Sequence, residues 1–340
     1  MSVPFWNPGK EYESVAEDIT RIEDEVRRRG ALILKEDVEK FEKELAQYVG
    51  TKYAVAVHSG CDAITLSLVA LGIERGDKVL TAAYTFRGTL EAIHHAGGIP
   101  VQYDMDGTVE FTDVKFFVPV YLSGEIPPYA ADCIRAARHA GVKVVEDACQ
   151  AIGAAPVMGN AAVYSFYPAK LLGCYGDGGA VATDDKELYE KLLRLRNHDK
   201  PHWNEIGYNS RLDNVKAAVL SYKLKRLPEE IRRRQHIAQQ YDRAFHTISE
   251  ITPQPARAIY QDYIIETLFA DAIHDFLNQR GIQTMKNEYP FPVLYPKLPK
   301  AAAYEKNTLR LPCNGTLSDD EVQEVITAIQ DFFQNVNTEV

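Results

Sequence analysis

Three short stretches of this 340-residue chain carry residue types that could do chemistry together. The first is Tyr164 to Gly179, YSFYPAKLLGCYGDGG, where a single lysine, Lys170, stands among Phe166, Tyr167, Leu171 and Leu172. Apolar neighbours predict partial burial, and burial turns a lysine into a nucleophile toward an aldehyde. Ser165, just upstream, offers a hydroxyl to a phosphate. Gly173, Gly176, Gly178 and Gly179 would let the backbone approach a bound ring closely.

The second stretch is Val142 to Gln150, VKVVEDACQ, an apolar run that ends in Glu146-Asp147. A carboxylate delivered to the carboxyl edge of a sheet sits where open α/β sheets bind ligands. It is costly to desolvate unless it meets a positive partner, and a protonated pyridine nitrogen is one. Taken alone, the acid reads first as a cap of the following loop. The third stretch, His58-Ser59-Gly60-Cys61-Asp62-Ala63, joins a strand to a helix. Exposed N–H groups and the helix dipole make such a turn an anion site, although most such turns bind nothing.

These stretches need a scaffold, and hydrophobic patterning supplies one. Tyr53–Val57, Lys78–Thr81, Pro100–Tyr103, Phe116–Tyr121 and Val142–Val145 read as buried strands. Helical patterns fall at Glu36–Tyr48, from Ala63, at Leu90–His95 and at Ala130–Ala140. Alternating apolar strands and helices predict an α/β domain with a mostly parallel sheet covered on both faces. From Leu220 to Ile248 the pattern becomes a long charged helix, read as interrupted at Pro228. A smaller α+β region follows, with a strand within Ile259–Phe269, a helix Asp271–Arg280 stopped by Gly281, and a last helix opened by a Ser318–Glu321 capping box. The expected domains are 1–227 and 228–340.

Together the motifs resemble the DegT/DnrJ/EryC1/StrS sugar aminotransferases, a family of fold-type I pyridoxal-phosphate enzymes. The central blocks VVEDACQAIGA and YSFYPAKLLGCYGDGGAVAT carry the likeness most specifically. VEKFEKELAQYVGTKYAVAVHSG, LRNHDKPHWNEIGYNSRLDNVKAAVL and LRLPC support it. The resemblance implies a large domain with a seven-stranded, mostly parallel sheet and a smaller C-terminal domain. It implies pyridoxal 5′-phosphate as cofactor, held by Lys170 as a Schiff base, with Lys170 then acting as general acid and base.

On the same grounds Asp147 would pair with the pyridinium nitrogen and Gln150 would hydrogen-bond the phenolic oxygen. Phe86 would stack on the ring, while Ser165, Ser59 and the backbone at Gly60 and Cys61 would hold the phosphate. Asn209 would reach the phosphate from a second subunit, making the active unit a homodimer. His198 and Tyr289 are candidates for substrate contact. The implied partners are an amino-acid donor such as L-glutamate and a keto-sugar acceptor linked to a nucleotide, with a cyclitol ketone as the other option. The chain departs from the family pattern at Cys61, where threonine is usual, and at Asp199, where Asn-His-Gly is usual. Lys170 is kept where a dehydratase branch has histidine, which favours amino transfer.

One rival reading starts from Tyr103–Val109, YDMDGTV, which is similar to the DxDGT motif of haloacid-dehalogenase-type phosphatases. There Asp104 would attack phosphorus, Asp106 would be the acid–base, and Gly176-Asp177 would help bind magnesium. Against it, the motif lies far into the chain and the preceding strand contains Gln102. A second rival is a catalytically inactive, cofactor-binding regulator.

Composition excludes other classes. A formal net charge of −10 gives no electrostatic footprint for nucleic acid. The clusters Arg27–Arg29 and Arg232–Arg234 read as solvated helix faces. No apolar run approaches the ~20 residues of a membrane span, and the N-terminus lacks a secretory pattern, so a cytoplasmic protein is expected. The five cysteines are widely spaced without a CxxC pair, which argues against disulfides and zinc.

Overall fold

The structure is a computed structural model that describes residues 2–200, 202, 206–253, 257–286 and 298–338. In chain order the helices are α1 Pro8–Glu13, α2 Ala16–Arg29, α3 Glu36–Val49, α4 Gly60–Ala70, α5 Arg87–His95, α6 Ala130–His139, α7 Lys186–Leu195, α8 Asn214–Phe245, α9 Ala270–Gln279, α10 Pro299–Asn307 and α11 Asp319–Thr338. The strands are β1 Tyr53–Val57, β2 Lys78–Ala82, β3 Ile99–Tyr103, β4 Phe116–Val118, β5 Lys143–Asp147, β6 Ala161–Ser165, β7 Gly179–Thr183, β8 Thr252–Pro253, β9 Tyr263–Glu266 and β10 Thr308–Leu311. None of the described helices is long and apolar enough to cross a membrane.

The chain divides into two compact units, Val15–Leu227 and Met1–Ser14 with Pro228–Val340. The N-terminal segment, read in the sequence with the larger domain, therefore groups with the second unit. Its tie there is a bridge between Val3 and Ile282 and a bond from Val3 N–H to Gly281 O at 3.0 Å.

The first unit is built on a seven-stranded sheet of order β1-β7-β6-β5-β4-β2-β3. β7 is antiparallel to both neighbours, and the other pairings are parallel. β1, β6 and β7 read as Ala/Val runs because both faces are covered. One face packs Val55, Val57, Val79, Val145, Val163 and Val181 against Ile64, Leu68, Leu188 and Leu192. The other packs Leu80, Phe117 and Val144 against Ile134 and Ala137 of α6. α4 is apolar nearly all round and buries Ala63 to Leu68 completely, as a helix enclosed in a core must.

Sequence patterning missed β6 and β7, because five-residue Ala-Val strands beside a glycine loop show no distinctive period. The Phe116–Tyr121 strand is cut to Phe116–Val118, since Pro119 has no N–H to give to a ladder. In the second unit a three-stranded antiparallel sheet, β10-β9-β8, shares a core with Tyr241, Phe245, Ile273, Leu277, Val325 and Ile329.

α9 ends as expected: Gly281 has φ 78°, Ile282 N–H reaches Leu277 O and Gly281 N–H reaches Asn278 O. The capping box is complete, with Glu321 N–H donating to Ser318 Oγ and Ser318 N–H to Glu321 Oε2.

Two expectations need correction. α8 runs unbroken through Pro228, because burial of Leu224, Leu227, Ile237 and Tyr241 along it outweighs the ~3 kcal/mol of an interior proline. Arg234 is not on a solvated face. It is 6% exposed, pairs with Glu230 and donates to Tyr260 O and Gln261 O. Arg27, Arg28 and Arg29 are exposed as expected, paired with Glu23, Asp24 and Asp37.

Candidate active site

β1, β2, β4, β5 and β6 all run the same way, so the residues that follow them emerge at one carboxyl edge. Ser59-Gly60 follows β1, Phe86 follows β2, Ser123 follows β4, Asp147 closes β5 and Ser165 closes β6. β7 enters at that edge too, with Gly179 paired to both Val57 and Ser165.

Ser59 and Ser165 form a cradle around Gly60. Ser59 caps α4 by accepting from Asp62 N–H at 3.1 Å, and Ser165 Oγ accepts from Tyr167 N–H at 3.3 Å. Each hydroxyl thus receives a backbone hydrogen and keeps its own to donate. A Cβ on Gly60 would lie 2.8 Å from Ser165 Cβ and 2.9 Å from Cys149 Sγ. A Cβ on Gly179 would lie 2.3 Å from the carbonyl of Ser59. Both glycines are needed for the backbones to approach this closely. The result is two hydroxyl donors beside the first N–H groups of an eleven-residue helix, which suits an anion.

Asp147 is 5% exposed, and both its oxygens are held. Oδ2 accepts from Thr89 Oγ1 at 2.7 Å and Oδ1 from Cys149 N–H at 3.2 Å. Its neighbour Glu146 points elsewhere, accepting from Tyr121 Oη and from Met158 and Gly159 N–H. Burial holds the Glu146 carboxyl above the usual range, with those donors pulling the other way.

Lys170 lies in the β6–β7 loop with its N–H on Tyr167 O at 2.8 Å. That loop is closed by Phe166 N–H to Gly178 O, by Lys223 Nζ to Gly173 O and by Lys216 Nζ to Asp177 O. Two thiols report the charges nearby. Burial pushes Cys61 up to about 11; Asp147 adds to the rise and Lys170 opposes it. Cys149 is raised well above the ordinary thiol by burial, again with Asp147 pushing and Lys170 pulling. Lys170 and the buried Asp147 therefore both lie near the thiols that line the cradle.

Gln150 is buried, and its Oε1 accepts from Ser123 N–H at 2.7 Å. Ser123 adopts φ 55° to make that contact. With its oxygen engaged, the Gln150 amide has its NH2 to offer as a donor. Phe86 is 50% exposed and caps α5, its ring lying where a Cβ on Gly88 would fall at 2.8 Å. Cys61 Sγ turns to Gly88 O at 3.7 Å, so only its backbone serves the cradle.

Asn209 is exposed, and its side chain makes no hydrogen bond among the described residues. Its backbone bridges to Asn197, and Ser210 Oγ ties His58 N–H to Asp62 in the same chain. His198 has φ 63°, and its N–H donates to Tyr208 O at 2.9 Å. Asp199 also has φ 53°, so an aspartate here takes the left-handed conformation natural to glycine. Tyr289, with Asn287 and Glu288, lies outside the described residues.

The phosphatase constellation does not assemble. Asp104 follows the edge strand β3 and Asp177 precedes β7, five strand spacings away, or roughly 24 Å at ~4.8 Å each. The carboxylates of Asp104 and Asp106 accept from Met105 N–H and Thr108 N–H in their own turn.

The family model for the DegT/DnrJ/EryC1/StrS aminotransferases matches residues 13–330. The chain belongs to that family. It is 35% identical to the pleiotropic regulatory protein of Geobacillus stearothermophilus, over 98% of this chain and 100% of that protein. It is 33% identical to the dTDP-3-amino-3,4,6-trideoxy-alpha-D-glucose transaminase of Streptomyces venezuelae, over 98% and 97%. The crystal structure of S. venezuelae DesV in complex with a ketimine intermediate superposes with TM-score 0.90 at 30% identity, covering 97% of this chain and 98% of that one. This member is a pyridoxal-phosphate-dependent aminotransferase of fold type I.

The residues present fit that cofactor. Spare hydroxyls and helix N–H groups suit its phosphate, an exposed aromatic ring its face, and a doubly held carboxylate its ring nitrogen. Sequence reasoning missed Thr89, Thr85 and Ser123, which orient the acid and the amide. The hydroxyls of Thr85 and Thr89, four residues apart at a helix start, were the signal available for the first two.

Proposed function

We propose that this aminotransferase moves the amino group of an amino acid, L-glutamate, onto a keto sugar carried by a nucleotide. The observation that supports it most is the convergence of Lys170 and Asp147 beside the Ser59–Gly60–Ser165 cradle. The acceptor class rests on relatives whose names specify dTDP- and UDP-linked amino sugars, one 33% identical from Pseudomonas aeruginosa included.

When bound, pyridoxal phosphate supplies a carbonyl that takes up the amino group and a ring that accepts an electron pair. Lys170 would hold the cofactor's carbonyl, and its Nζ would be the base that takes up the donor's Cα proton and the acid that gives it back one atom away. Asp147 would pair with the ring nitrogen and favour its protonated form, the form in which the ring is an electron sink. Gln150 donates to the phenolic oxygen and Phe86 stacks on one face. Ser59, Ser165 and the N–H groups at Gly60 and Cys61 hold the phosphate. Asn209, exposed and with no side-chain hydrogen bond among the described residues, completes a partner subunit's site in a homodimer. We also assign His198 and Tyr289 to contact with the acceptor, Tyr289 lying outside the described residues. We place the enzyme in the cytoplasm.

The test is to follow 2-oxoglutarate formation from L-glutamate with UDP- or dTDP-linked keto sugars, free keto sugars and cyclitol ketones. Turnover confined to the nucleotide-linked acceptors supports the reading. Turnover with the free sugar or cyclitol alone would replace the acceptor class.

A further inference from the structure

We propose that Thr89 is a positioning residue for this reaction: its hydroxyl, held in turn by Thr85, fixes the Asp147 carboxylate toward the cofactor ring. The inference rests on the reading that Asp147 faces the ring nitrogen.

The direction of the bonds follows from counting hydrogens. An ionised carboxylate only accepts, so the 2.7 Å contact to Asp147 Oδ2 uses the one hydrogen of Thr89 Oγ1. The 2.9 Å contact between Thr89 Oγ1 and Thr85 Oγ1 must then be donated by Thr85. The alternative acceptor for Thr85, Phe86 O, is at a long 3.5 Å. A one-way chain, Thr85 to Thr89 to Asp147, results.

Both hydroxyls are closed to water, Thr85 being 1% and Thr89 2% exposed. No solvent molecule can substitute for either one. The remaining oxygen of Asp147 is fixed by Cys149 N–H, so the two donors together set the carboxylate plane. Thr85 immediately precedes Phe86, and Thr89 lies in the first turn of α5. One rigid turn thus carries the stacking ring and orients the acid, which ties the ring's face to its nitrogen. A donor that is itself hydrogen-bonded is strengthened, so Thr85 contributes through Thr89.

The experiment compares Thr89→Val, Thr89→Ser and Thr85→Val with wild type. It measures the dissociation constant of pyridoxal phosphate from the apoenzyme, kcat and KM for L-glutamate, and Tm. Loss of a charge-assisted hydrogen bond predicts that Thr89→Val weakens cofactor binding and lowers kcat, each by about tenfold. The glutamate KM should stay within about twofold, because the change falls on the ring and not on donor binding. Thr89→Ser, which restores the hydroxyl, should return both values to within about twofold, and Thr85→Val should shift them the same way by less.

Wild-type binding and kcat in Thr89→Val would overturn the proposal. So would Thr89→Ser as impaired as Thr89→Val, since the methyl group would then be what matters. If Thr89→Val does not fold, Thr85→Val decides: unchanged cofactor binding and kcat contradict the chain. Failure of the wild type to bind pyridoxal phosphate would instead overturn the reading of Asp147 on which this rests.

Discussion

The Cβ that Gly60 lacks would stand 2.8 Å from the Cβ of Ser165. Two strands that are not neighbours in the sheet thereby bring a helix N-terminus and a hydroxyl to one point, with β7 between them.

Gly60→Ala should therefore lower Tm and weaken cofactor binding together, at a cost of about 1–3 kcal/mol for overpacking. Gly179→Ala should be worse. Its Cβ meets the backbone of Ser59 at 2.3 Å, which no side-chain rotation relieves, whereas at Gly60 the Cys149 thiol can rotate away and the Ser165 Cβ stands farther off, at 2.8 Å. Thermal melts with and without pyridoxal phosphate check the order. A Gly179→Ala protein as stable and as well loaded as wild type would contradict the cradle.

The Cys61 thiol, pushed up to about 11, should react slowly with iodoacetamide at neutral pH. Against an ordinary thiol near 9, its thiolate fraction is down by about a hundredfold. Mass-spectrometric labelling of the apoenzyme measures the rate, which should climb as pH approaches the raised value. Rapid labelling at neutral pH would mean that the thiol is not buried as described.

Glu146 links pH to stability. Its carboxyl titrates above the ordinary value in the folded state because it is buried, so folding favours the protonated form. Its contribution is present below the unfolded value, near 4.5, and is lost as pH rises through the higher folded value. Glu146→Gln keeps an acceptor for Met158 and Gly159 and can donate to Tyr121, yet it does not ionise. The variant's stability relative to wild type should therefore improve from about pH 4 to about pH 8 in denaturant melts. A pH-independent difference would rule this out.

Much of this was legible in the chain, and the reasons differ by element. VKVVEDACQ and YSFYPAKLLG showed their acid and their lysine because apolar runs flank both. The cradle residues Ser59 and Gly60 were marked by the strand-to-helix turn, and the capping box at Ser318 by its spacing. What stayed hidden was tertiary. Nothing local says that Arg234 is buried under Tyr260 and Gln261, or that α8 continues through Pro228. Nor can local pattern show that Thr89 reaches Asp147 across 58 positions, or that Ser123 N–H orients Gln150.

The proposed crossing of Asn209 has a clean test in mixed dimers. Lys170→Ala and Asn209→Ala proteins, each defective alone, should regain up to about a quarter of wild-type activity when co-refolded. Half the dimers would then be mixed, and one of their two sites would hold both native residues. If each chain's Asn209 served its own site, no site in the mixture would be whole and activity would stay low.

The most direct test of the account is the visible absorption spectrum of the protein with pyridoxal phosphate, before and after L-glutamate, beside Lys170→Ala. The wild type should show a cofactor band that glutamate bleaches. The variant should lack the normal band and lose turnover by more than about a hundredfold. A wild type with no band, or a variant that bleaches and turns over within about tenfold of wild type, would contradict the assignment of Lys170.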